Sequence, residues 1–139
     1  MAYAKIRGRQ AHKARLAKIP KAVKDAVAGQ LVVEVDGFVD AAKRAAPVDY
    51  KSDNPGEFRD SIRAFPNPKK GLSYHVIVDA KDADGKPIAA SVEQGHRAVD
   101  GTHVAAQPSF FPTYRARRKG MKRRIAAKGR KAIKDTYGG

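Results

Sequence analysis

Glu93, His96 and His103 place one carboxylate and two imidazoles within eleven positions, the side-chain types that ligate a transition metal and activate water. Their setting is poor for that chemistry. Glu93 and His96 would have to converge from the end of a strand, no second carboxylate motif accompanies them, and histidines in loops are usually plain surface residues. A metal-dependent nuclease on these three residues is therefore the third reading of the chain, behind two that need no catalysis. Asp82-Ala83-Asp84-Gly85 looks like part of a calcium loop, but EF-hand spacing would put Ala80 at the first ligand and Ser91 at the bidentate glutamate. That segment reads as a hairpin turn. No phosphate-cradling glycine loop, nucleophile elbow or paired acid–base motif occurs. With no cysteine, disulfides, thiolate zinc sites and cysteine nucleophiles are excluded. No catalytic residue, metal or other cofactor is expected.

Charge is the stronger signal. Of the 29 Lys and Arg residues, eight fall within residues 1–25 and eleven within 113–137. The two ends carry net charges of +7 and +10, against −2 for residues 26–112. Such asymmetry points to a polyanionic neighbour, either nucleic acid or an acidic protein surface. The residues expected to face it are Arg7, Arg9, Lys13 and Arg15 at one end, and Arg115, Arg117, Arg118, Lys119, Lys122, Arg123 and Arg124 at the other. An ordinary solvated helix alternates its signs, whereas the second segment sets eleven cations against one acid. Tyr114 and Tyr137 are its only rings, so stacking on single-stranded bases is disfavoured. Contacts to a phosphate backbone would give affinity without sequence preference.

The elements that must carry these charges follow from periodicity. Residues 1–19 show no buried face and read as a basic arm. Pro20 suits a first helical position, and Val23, Val27, Leu31, Val35, Phe38, Ala42 and Ala45 then recur at helical steps, which predicts a helix over 20–45. Leu31-Val32-Val33-Glu34-Val35 before Asp36-Gly37 is a competing strand signal, but it covers five residues where the helical stripe covers the whole window. Ala28, Val32 and Val39 widen the apolar sector, so a sheet on one side and another subunit beside it are expected. Pro47 ends the helix, 48–57 is a polar loop, and 61–65 and 74–78 are strands. Asp84-Gly85 turns the chain into a further strand of alternating Ile88, Ala90 and Val92. Residues 95–109 form a loop, and a second helix runs from Pro112 to about residue 135. Tyr114, Met121, Ile125 and Ala132 give that helix only a narrow apolar stripe. Gly120 and Gly129 weaken it by about 1 kcal/mol each relative to alanine, and crowded like charges make it marginal until an anion neutralises it.

The predicted fold is α+β: a long N-terminal helix and a basic C-terminal helix packed on a small, mainly antiparallel sheet. A chain of 139 residues fits one domain, divided here into a basic arm (1–19), a core (20–112) and a basic helix and tail (113–139). No apolar run is long enough to span a membrane and the N-terminus is charged, so a soluble protein without an export signal is expected.

Four segments occur in an order that carries more than any one of them: Ala45-Ala46-Pro47-Val48-Asp49, Gly56-Glu57-Phe58-Arg59-Asp60-Ser61-Ile62, Ala90-Ser91-Val92-Glu93-Gln94-Gly95 and Gln107-Pro108-Ser109-Phe110-Phe111-Pro112. Over roughly residues 16–116 the chain resembles the tail-completion, or neck, proteins of long-tailed phages and gene transfer particles, the gene-product-10-like family. Four departures stand out: Pro55 where that family usually has threonine, Phe58 for leucine, His96 for threonine, and an additional Ser109 before the aromatic pair. The shared positions make architectural sense by themselves. Pro47 lacks a donor and stops the helix; Gly56 permits a tight approach before Ser61 and Ile62 enter the sheet; Gly95 supplies positive φ after Glu93. Pro108 and Pro112 stiffen the lead into the last helix, with Phe110 and Phe111 as its anchors.

The resemblance implies a non-enzymatic virion protein of the head–tail junction, built into a sixfold homo-oligomeric ring by heterologous contacts. It implies a connector or stopper protein on one side and a tail terminator or tail tube on the other, with host cytoplasm as the place of assembly and no membrane partner. In that setting the basic ends would line the channel for packaged double-stranded DNA or clamp acidic surfaces of adjoining rings. The alternative is a free-standing, sequence-independent nucleic-acid-binding protein.

Overall fold

The computed structural model describes residues 9–138, with side chains from 10 to 137. Two long helices dominate it. The first, α1, runs Arg9–Ala45 and the last, α4, Phe110–Gly138. Between them lie a one-turn helix α2 (Glu57–Asp60), strands β1 (Ile62–Pro66) and β2 (Tyr74–Val78), a short helix α3 (Ala89–Gln94), and the two-residue strands β3 (His96–Arg97) and β4 (His103–Val104). This is the α+β arrangement read from the sequence, with both helices on a small antiparallel sheet.

The Leu31–Val35 conflict resolves as helix. Phe38 and Ala42 are buried on one face of α1, and helix-long periodicity outweighs five β-favouring residues. The helix also runs back through Pro20, which lies inside α1 and not at its start. A proline there removes one hydrogen bond, to the Leu16 carbonyl, but leaves the turns on either side intact. The described part of the expected arm, residues 9–19, is therefore helical. Residues 10–18 are exposed along that whole stretch, which agrees with the absence of a buried face in the sequence.

β1 and β2 pair antiparallel, with Ile62 opposite Val78 and Ala64 opposite Val76. Ile62 is 1 % exposed and meets Phe38, Ala42, Ala46, Phe58 and Ala80, with Val76, Val78, Ile88, Val92 and Phe110 packed around them. The third expected strand is instead α3. Its inward residues are Ile88, Ala89, Val92 and Glu93, at helical spacing, while Ala90 is exposed. The turn at Asp84-Gly85 forms, with the Asp82 carboxylate accepting from the amides of Asp84 and Lys86. It closes a single bridge from Lys81 to Pro87, and Pro87 has no amide to extend the ladder.

α4 packs antiparallel along α1. Phe38 meets Phe110 and Tyr114 edge to face, at 5.2 and 5.9 Å between centroids. Farther along, Val23 and Val27 lie where a side chain on Gly129 would touch them. Near the far end the rings of His12 and Tyr137 meet at 5.7 Å. The two basic segments thus form one helical hairpin that extends past the core.

Midway along this hairpin a buried carboxylate crosses the seam. Glu34 accepts from Arg124 Nε at 2.6 Å and Arg124 NH2 at 2.8 Å, and from Gln30 at 2.7 Å. Its side chain is 6 % exposed, that of Arg124 49 %. Arg124→Ala strands the buried anion and is expected to destabilise the protein more than Glu34→Ala, which leaves a guanidinium that reaches water. Urea unfolding of the two variants checks the order; equal losses would contradict it.

Candidate functional site

Most cations of α4 radiate from the hairpin, but they are not equivalent. Arg124 is tied to Glu34. Arg117 is half-buried, its guanidinium lying against Gly37, where an added Cβ would meet NH2 at 3.0 Å. Its Nε is buried without a hydrogen-bond partner. Arg124 ties α4 to α1, and Arg117 lies in the seam between them. Lys13, Arg15, Arg115, Arg118, Lys119, Lys122 and Arg123 are exposed, and none forms an ion pair with another described residue. Arg7 lies outside the described residues, and of Arg9 only the backbone is described.

The exposed cations fall into two stripes. Arg115, Lys119 and Arg123 recur every four residues on the outer side of α4. Arg118 and Lys122 flank instead a groove of about 360 Å³ between α1, α4 and β2, whose apolar walls include Leu31, Val35, Tyr74, Phe111 and Tyr114. Phe111 is 54 % exposed. Of the two aromatic anchors expected at the helix start, Phe110 packs on Phe38 and Phe111 faces this groove.

Helix α4 starts at Phe110, two residues before Pro112. Pro112 falls in the first turn, where its missing amide would have had no intrahelical acceptor. Ser109 is the residue that begins the helix: its carbonyl accepts from the Thr113 amide at 3.2 Å and the Thr113 hydroxyl at 2.7 Å. Glu93 reaches across from α3 to complete the cap. Its Oε1 accepts from the amides of Ser109 at 2.8 Å and Phe110 at 2.6 Å, and from the Ser109 hydroxyl at 3.1 Å. Burial pushes the Glu93 carboxyl up, but the hydrogen bonds from Phe110 and Ser109 outweigh it and hold the group below its ordinary value. A carboxylate at a helix N-terminus also meets the favourable end of the helix dipole.

Glu93 thus acts as a helix cap, with all three hydrogen bonds on Oε1. His96 and His103 are exposed on the β3–β4 ladder, paired with Val104 and Arg97 respectively. Among the described residues no three His, Cys, Asp or Glu side chains gather where they could hold a metal ion. The other motif positions are structural. Gly95 has φ 76°, and a Cβ there would lie 2.8 Å from the Val104 carbonyl oxygen and 2.9 Å from the Ala106 nitrogen, so glycine is required. Gly56, at φ 85°, precedes α2, whose Phe58 is buried beside Ile62. Ser61 donates its hydroxyl to the Phe58 carbonyl at 2.8 Å. Pro47 and Pro108 flank these elements in the connecting segments.

The roles of Glu34, Gly37 and Ser109 escape a reading by periodicity alone. Ser109 was accessible through capping preference, since serine immediately before an apolar pair is a helix start signal. Glu34 interrupts an apolar stripe, a pattern that marks a buried ion pair only once its partner 90 positions away is known. Neither a family of known proteins, nor a curated protein, nor a solved structure matches this chain.

Because Glu93 is held below its ordinary value in the fold, its contribution to stability is complete above about pH 4.5 and is lost as pH falls through the lowered value. Glu93→Gln keeps one acceptor but removes the charge. The variant is expected to be less stable at neutral pH by about 1–2 kcal/mol and to show a flatter acid limb. A pH series of urea midpoints reads both, and an acid limb as steep as the parent's would refute the assignment.

Proposed function

We propose that this protein is a non-enzymatic structural subunit that grips a polyanion with its helical hairpin, and that its setting is a ring at the phage head–tail junction surrounding packaged DNA. The observation that carries the reading is the joining of both basic segments into one hairpin. Two arms that could have diverged lie side by side, so cations from both ends of the chain sit on one structural unit. The four ordered motifs support the phage setting, as does their architectural character: Glu93, Gly95, Ser109 and Phe110 build the joint between the core and α4, and none is left over for a reaction. In this reading the ring is homo-oligomeric, its axial neighbours are connector and tail proteins, and the outer stripe of α4 faces the phosphate backbone.

The hairpin also favours a second reading, a free-standing protein that binds nucleic acid without sequence preference. The two differ in self-association. A neck subunit forms closed rings and joins connector or tail components; a free-standing binder stays monomeric and coats duplex.

Both predict salt-sensitive binding of duplex DNA through backbone contacts. Arg115→Ala/Lys119→Ala/Arg123→Ala is expected to weaken duplex binding about equally for unrelated sequences and to reduce the slope of log K against log salt by roughly 2–3, since each phosphate contact contributes about 0.9. Fluorescence anisotropy across a salt series measures it. An unchanged slope would remove this stripe as the DNA-facing surface, and ring formation in sedimentation or negative-stain images separates the two readings.

A further inference from the structure

On the side of α1 turned away from α4, four residues form an exposed patch of opposite character to the hairpin. Val32 is 40 % and Val33 61 % exposed, and Asp36 and Asp40 continue the same face at helical spacing. Neither aspartate forms an ion pair with another described residue. Two like charges four residues apart destabilise a helix slightly when left alone, and an exposed valine pair beside them gains nothing from water.

The groove edge on α4 is the complement. Arg118 and Lys122 are likewise four residues apart and unpaired, and Ile125 lies beyond them on the groove wall. Each charged pair spans an axial rise of about 6 Å, so both opposite-sign contacts can form at once. With the hairpin along the axis of a closed ring every copy points the same way, and α1 of one copy then meets α4 of the next in the antiparallel sense, as it meets its own. With Asp36 opposite Lys122, Asp40 falls opposite Arg118 and Val33 opposite Ile125. That is the axial register already set within the chain by Glu34 and Arg124.

We infer that the acidic patch of one copy, Val33, Asp36 and Asp40, docks on the groove edge of the next, Arg118, Lys122 and Ile125, as a heterologous contact that propagates around the ring. The inference rests on the ring reading above and names its interface. It also divides the cations of α4: the groove stripe binds protein, leaving Arg115, Lys119 and Arg123 for the polyanion. Heterologous contacts of this kind close when the rotation between copies divides the circle.

A charge-swap experiment tests it. Asp36→Lys/Asp40→Lys and Arg118→Asp/Lys122→Asp each set like charges against one another, and each alone is expected to weaken self-association at least about tenfold. Mixed in equal amounts they alternate and restore complementarity at every contact of an even-numbered ring such as the sixfold one, so sedimentation velocity should recover the parent assembly. A single chain carrying all four substitutions should also assemble. Assembly of either two-site variant as well as the parent, or failure of both the mixture and the four-site chain to recover it, overturns this interface while leaving the ring standing. A parent chain that stays monomeric at about 100 μM, well above the dissociation constants of stable interfaces, removes the ring and the interface together.

Discussion

Two helices with a large surplus of positive charge lie side by side, and the fold depends on what opposes their repulsion. Exposed unit charges 10 Å apart in water repel by only about 0.4 kcal/mol each, but many such pairs act along the hairpin. Against them stand a narrow apolar seam and one buried acid. Glu34 takes both nitrogens of the Arg124 fork and is held below its ordinary value by that hydrogen bond, which prevails over the cost of burial with help from Gln30 and the charges of Arg124 and Arg117. Arg117 crosses at Gly37, where the absent side chain lets a guanidinium lie against the backbone. Near the core, Phe38 holds Phe110 and Tyr114.

The second constraint is where α4 begins. A helix that started elsewhere would rotate every cation to a different direction, and Glu93 fixes that start from α3. Three donors converge on one of its oxygens, so the small central elements set the phase of the long basic one. Around α4 the result is a division by direction: Arg117 and Arg124 inward, Arg118 and Lys122 toward the groove, Arg115, Lys119 and Arg123 outward.

Much of this was legible in the residues. The stripe from Val23 to Ala42, the stop at Pro47, the strand at 74–78, the first strand within one residue (61–65 expected, 62–66 observed) and the class of fold all follow from periodicity and proline chemistry. What was not legible depended on partners distant in sequence. Residues 10–18 are exposed throughout, so no apolar stripe announces their helix, and no local signal pairs His12 with Tyr137. Ile88, Ala90 and Val92 alternate like a strand, yet the same stretch read as Ala89 and Glu93 four apart is a helix with one carboxylate facing inward, and the amides it caps lie 16 and 17 positions on. Glu93 was singled out for its chemistry and by its motif; its task as a cap across the core required the position of Ser109.

The hairpin as a single polyanion-binding unit is the claim from which the rest follows, and amide hydrogen exchange with and without duplex DNA at low salt tests it most directly. Protection should rise together in residues 10–30 of α1 and 115–137 of α4, leaving the core strands at 62–66 and 74–78 unchanged. Protection confined to one of the two helices, or appearing in the core strands instead, would contradict it.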